Sequence, residues 1–249
     1  MRRWLLSGCL LVLLYVVCLL VSAPARLLAT LSPVQLQWGG VSGTLWQGEA
    51  EQLRVGKRLL GRLVWQSGWR NGLPVWRLTL REGEMGHGGV TIGWMGHWQL
   101  SAGSWQLPVE VLPTLLGYSL PLEGHGELAL KLEDARFDAR QCLDLVAKVE
   151  WRSAQFSLLE QTLALGEPQL RLRCEPRRLL FALHPPQPPL RLFGEGSIDW
   201  RGVYRFSGGL GTMEAVPAQW RQAVEAASRP GAEGKRTIEV AGIWPIKLY

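Results

Sequence analysis

A chain of 249 residues has room for one large domain or two small ones. Its net charge of +6 is spread among acids, as in Arg81-Glu82 and Lys131-Leu132-Glu133. That mixture excludes the basic block of a nucleic-acid binder and leaves a solvated surface with at most a mild pull toward anionic lipid headgroups.

The N-terminus reads Met1-Arg2-Arg3, then an uncharged run from Trp4 to Ala25, closed by Arg26. Positions 4–23 hold Leu or Val twelve times. About 20 apolar residues at 1.5 Å per residue cross a hydrocarbon core of about 30 Å. Each Leu or Val near a helix centre favours insertion by up to roughly 0.3–0.6 kcal/mol. A cleaved signal has a shorter apolar core and a small-x-small cleavage site; in Ala23-Pro24-Ala25 the proline spoils that context. The expectation is one uncleaved, single-pass span. Arg2 and Arg3 place the N-terminus in the cytoplasm and export the body. Residues 1–25 are then a cytoplasmic tip and transmembrane anchor, and 26–249 the exported domain. Cys9 and Cys18 lie inside the run as small apolar side chains.

The body is written in strand grammar. Trp76–Arg81, Leu128–Glu133, Leu145–Trp151 and Leu170–Cys174 alternate apolar with polar, as antiparallel strands with one wet face do. Turn signals stand at Trp69–Pro74, Gly86–Gly89, Gly166–Pro168 and Gly208–Gly211. The fold class is mainly β: an antiparallel sheet or sandwich with one or two short helices, preferably one continuous sheet. Pro108–Gly117 reads as a short helix capped by Gly117, and Pro217–Ser228 as the better one. Arg229–Lys235 reads as an exposed, mobile loop, and Pro185-Pro186-Gln187-Pro188-Pro189 as a rigid connector. Leu122–Leu128 and Leu192–Ile198 share a Leu-x-Gly-x-Gly-x-apolar form. Such glycines suit bulges, tight turns or curvature. Either a bent sheet with an apolar concave face or a sandwich with glycine corners follows.

Cys142 and Cys174 are the two cysteines of the exported part, and an oxidising compartment invites one bridge between them; two free thiols are the alternative. His87, His97, His125 and His184 lack metal-ligand spacing and read as exposed turn histidines. Gly124-His-Gly-Glu-Leu-Ala129 imitates a dinucleotide motif but opens a strand, and no phosphate loop occurs. Gly117–Pro121 lacks the second glycine of a nucleophile elbow. The chain therefore reads as no enzyme, with no cofactor and no metal. Its excess is 13 tryptophans, which suit a core, a lipid-interface belt or an aromatic-lined groove.

The order of features resembles protein N of the type II secretion system. An Arg-led span is followed by Val34–Gly48, whose Gly43-Thr44-Leu45-Trp46-Gln47-Gly48 core is similar to the family's most recognisable segment. Two spaced cysteines, Gly-x-Gly strands, Arg201–Gly208 and the tail Gly242–Tyr249 follow. The resemblance covers almost the whole chain, except for about residues 82–120. It implies a non-enzymatic accessory component of protein secretion, bitopic in a bacterial inner membrane, with its body in the periplasm. The implied partners are other secretion subunits and the membrane. The family is also similar in pattern to AsmA-like sheets that hold lipid, so a lipid-handling groove is the alternative, and lipid contact is compatible with both.

Overall fold

Helix α1 (Arg2–Val21) forms where the sequence places its apolar run. In the computed structural model the described residues are 2–32, 36–55, 58–83, 86–113, 123–138, 141–158, 161–175, 177–184, 192–211, 213–214, 216–231 and 235–243. The side chains of α1 are described from Ser7, and from there to Val21 all are exposed. Among the described residues no helix is long and apolar enough to cross a membrane. The spanning helix expected over residues 4–23 is thus not supported by them.

Two compact units follow, residues 1–87 and 88–249. In the first, a short helix α2 (Arg26–Leu31) leads into β1 (Leu36–Gly43), β2 (Gln47–Val55), β3 (Arg58–Arg70) and β4 (Leu73–Gly83), paired in that order. Asn71 and Gly72, at φ 53° and 79°, close the β3–β4 hairpin; positive φ at both positions is what a two-residue turn matching strand twist requires. The core here is Ala25, Ala50 and Trp65, with Trp38, Val41 and Leu63 packed against it.

The second unit holds β5 (Gly86–Trp94, begun two residues earlier), β6 (Trp98–Pro108), β7 (Glu123–Asp138) and β8 (Gln141–Leu158). It continues with β9 (Gln161–Gly166), β10 (Gln169–Glu175), β11 (Arg178–His184), β12 (Leu192–Asp199), β13 (Val203–Leu210), helix α3 (Ala218–Ala227), β14 (Arg229–Pro230) and β15 (Arg236–Ile243). The long β8 pairs β10 with its first half and β9 with its second, and β13 pairs β15. Every register described in either unit is antiparallel, so the expected mainly β, antiparallel class with few short helices is borne out. Helix α3 starts beside Pro217, as expected, and buries Trp220 with Val224 four residues on. They cover Ala154, Leu163, Leu165 and Leu210, the unit's core.

Two expectations need correction. Gly86–Gly89 and Gly208-Gly209-Leu210 are strand, not turn. The reason is space: a Cβ at Gly194 or Gly208 would run into the Phe206 ring, and one at Gly196 into Phe181. Those two rings stack at 6.2 Å across the glycine row, so the Gly-x-Gly repeat here houses aromatic rings. Arg229-Pro230 opens no free loop but pairs with Arg236 and Thr237. The expected helix at 108–117 is helical in its described part, a 3-10 turn at Val109–Val111 followed by helical Leu112 and Pro113, and 114–117 lie outside the described residues. The proline connector at 185–189 lies outside them too.

Candidate functional site

The tract singled out by sequence, Gly43, Thr44, Leu45, Trp46 and Gly48, is the β1–β2 turn, and it clasps the end of α1. A helix leaves its last carbonyls without intrahelical donors. One of them, Leu20 O, accepts from Trp46 Nε1 at 2.8 Å. Beyond the helix the chain lies against the turn: Leu45 N–H donates to Ala23 O at 3.0 Å, and Ala25 N–H to Gly43 O at 3.1 Å. Pro24 and Thr44 form an isolated bridge between them.

Thr44 organises the turn. Its N–H donates to Gln47 O at 2.7 Å, its hydroxyl accepts from the N–H groups of Trp46 and Gln47, and its carbonyl accepts from Trp65 Nε1 at 3.0 Å. Side chain-to-backbone bonds of this kind favour threonine in turns. Gly43 has φ +94° and lies against the backbone of Gln47 and Gly48, where a Cβ would clash. Gly48 has the Trp65 ring against its Cα. Trp46 stacks on Trp76, centroids 6.3 Å apart. Composition alone does not link these residues to Leu20–Ala25; the signal was their position shortly after the apolar run.

Cys142 and Cys174 form the expected disulfide, joining neighbours β8 and β10 with Cα atoms 6.2 Å apart. Close by, Arg136 donates to Asp144 at 2.7 Å, and this hydrogen bond holds the guanidinium above its usual pKa.

A groove of about 960 Å³ opens over β10–β13 and β15. Arg171, Arg173, Arg205 and Arg229 line it, with Glu195 and Glu239 opposite in sign. Among the described residues none of these arginines is in an ion pair. The excess of cations suits an anionic group better than an acyl chain alone. His184, expected in an exposed turn, sits at the end of β11 beside the groove with its Nδ1 buried and unpartnered. His125 lies 3.3 Å from Glu110. Among the described residues no three His, Cys, Asp or Glu side chains group as metal ligands.

The features that the sequence set in order are thus three parts: a clasp at the first hairpin, a disulfide between strands, and a sheet with a cationic groove. A family model described as type II secretion system (T2SS), protein N, matches residues 34–239. The chain belongs to that family. A "Type II secretion system protein N" from Klebsiella pneumoniae is 32% identical over 246 residues, covering 98% of each chain. Proteins of the same name from Pectobacterium carotovorum subsp. carotovorum and Aeromonas hydrophila are 29% and 27% identical, each covering 97% of this chain and 98% and 99% of their own. No solved structure matches the chain. Membership ties the chain to the type II secretion system, through an accessory component rather than a known enzyme family.

Proposed function

We propose that this chain is a non-enzymatic accessory component of type II secretion. Residues 1–25 anchor it in the bacterial inner membrane by one span, and residues 26–249 form a periplasmic body that contacts other inner-membrane and periplasmic secretion subunits. The observation that carries this reading is the family relation along nearly the whole chain. Three others support it. The uncharged run from Trp4 to Ala25 has spanning length in the sequence. Arg2 and Arg3 stand on one side of it, which favours a cytoplasmic N-terminus. The Cys142–Cys174 bridge suits an oxidising compartment. In this reading Gly43, Thr44, Leu45, Trp46 and Gly48 fix the angle at which the body leaves the anchor, so that it stands close to the membrane.

Deleting the gene tests the reading. Release of secreted proteins into the medium is expected to fall several-fold, and a plasmid copy of the full chain to restore it. Unchanged release together with unchanged assembly of the remaining secretion complex would contradict it.

A further inference from the structure

Among the described residues, exposed tryptophan gathers within each unit at one end of its ladder. In the second unit the register runs along one end of the ladder: Trp98 faces Phe137, Phe137 faces Cys142, Arg178 faces Asp199, and Val203 faces Ile243. With Arg173 facing Val146, the strand ends that flank the β5–β6, β7–β8, β10–β11 and β12–β13 connections therefore lie at the same end. Turns two strands apart stand about 10 Å from one another. Among the described residues, eight large apolar side chains of this unit are exposed: Trp94, Met95, Trp98, Leu143, Trp200, Val203, Val240 and Ile243. All but Val240 lie in or beside those turns or at the matching end of β15. Trp94 and Trp98 are each 48% exposed and Ile243 73%.

Cations accompany them. Arg177 and Arg201 lie over the Trp200 ring at 5.7 and 5.2 Å. The first unit repeats the pattern by itself. Its β3–β4 turn carries Trp69, 78% exposed, at the end of its ladder where Trp46 holds the exposed apolar helix α1.

A row of spaced turns bearing Trp and Arg suits a plane better than a pocket. Tryptophan beside arginine matches the headgroup layer, where the ring meets apolar chains and the cation meets phosphate. We infer that these hairpin turns are seated in the headgroup layer of a phospholipid bilayer. The inference rests on the membrane-held reading above and adds a second contact, made by the sheet itself. The body would then be held against the bilayer at its turns, and motion about the anchor restricted.

The test uses the full chain in vesicles of phosphatidylethanolamine with a minority of phosphatidylglycerol. Some vesicles also carry a phosphatidylcholine brominated high on its acyl chains, which quenches tryptophan on contact. The emission lost in Trp94→Phe, Trp98→Phe and Trp200→Phe reports each rim ring. The emission lost in Trp151→Phe reports a body ring, packed on Phe156 and bonded to His125 O. These rim rings are about half exposed, so phenylalanine is tolerated there, and retention of the disulfide on a non-reducing gel checks the fold. The rim contributions are expected to be quenched several-fold more strongly than that of Trp151. Rim rings quenched no more than Trp151 would overturn the inference and leave the turns as an edge for a protein partner. Resistance to alkaline carbonate extraction reads the anchor separately: a chain that stays in the vesicles with unquenched rim rings sinks the inference alone, and one that washes off with unquenched rings sinks both.

Discussion

Replacing Trp65 with alanine is expected to lower the free energy of unfolding by about 3–5 kcal/mol, the usual cost of emptying a buried aromatic site. Trp65 is 3% exposed, packs edge-on against Trp38 at 6.2 Å, and covers Gly48. It also donates from Nε1 to Thr44 O, so its loss removes a bond from the clasp. Trp65→Phe retains most of the volume and isolates the hydrogen bond, worth about 1 kcal/mol net, together with the carbonyl left unsatisfied. Trp69→Ala is the control: its ring is exposed, and such surface changes stay within about 0.5 kcal/mol. Urea unfolding of the detergent-solubilised chain, followed by circular dichroism, measures all three. Equal midpoints for Trp65→Ala and Trp69→Ala would contradict the clasp as a core.

Removing the disulfide has a comparable effect by a different route. The bridge spans 32 residues in sequence. In the chain-entropy account, closing such a loop restricts the unfolded chain enough to stabilise the fold by about 3–4 kcal/mol. Cys142→Ser together with Cys174→Ser is expected to lower the urea midpoint accordingly. Dithiothreitol should bring the wild type to the same value. The double substitution leaves no lone thiol to mispair. A wild-type midpoint that reductant does not move would show that the bridge does not stabilise the fold.

The strands were legible because period-2 alternation survives wherever one face is covered: Leu145–Trp151 and Leu170–Cys174 read correctly and lie within the paired strands β8 and β10. Asn71-Gly72 read correctly because its backbone requirement is local. Gly208-Gly209 did not, because the ring that fills the space above Gly208 is Phe206, and its packing against Phe181 depends on strands paired far along the chain. No local pattern separates a glycine needed for a turn from one needed for a ring. The clasp was half legible. Gly43–Gly48 stood out, but its partners, Leu20 and Ala23, are joined to it by backbone groups, which every residue has. The sequence leaves the tryptophans open between a core, a lipid-interface belt and a groove, and they divide between the first and exposed positions. Trp65 and Trp220 are core, whereas Trp94, Trp98 and Trp200 flank turns. Their adjacency to Gly96 and Gly202 was the available signal, since a large ring beside a turn glycine sits at a strand end.

The central claim is that the β-rich body meets other parts of the secretion machine in the periplasm. Photo-crosslinking in living cells tests it most directly, with a photoreactive residue placed on the exposed faces of β7, β8 and β15 in the full-length chain. The expected result is a covalent product containing another type II secretion subunit, absent when the rest of the secretion operon is deleted. Crosslinks that survive that deletion unchanged, or that never contain a secretion subunit from any of these positions, would contradict it.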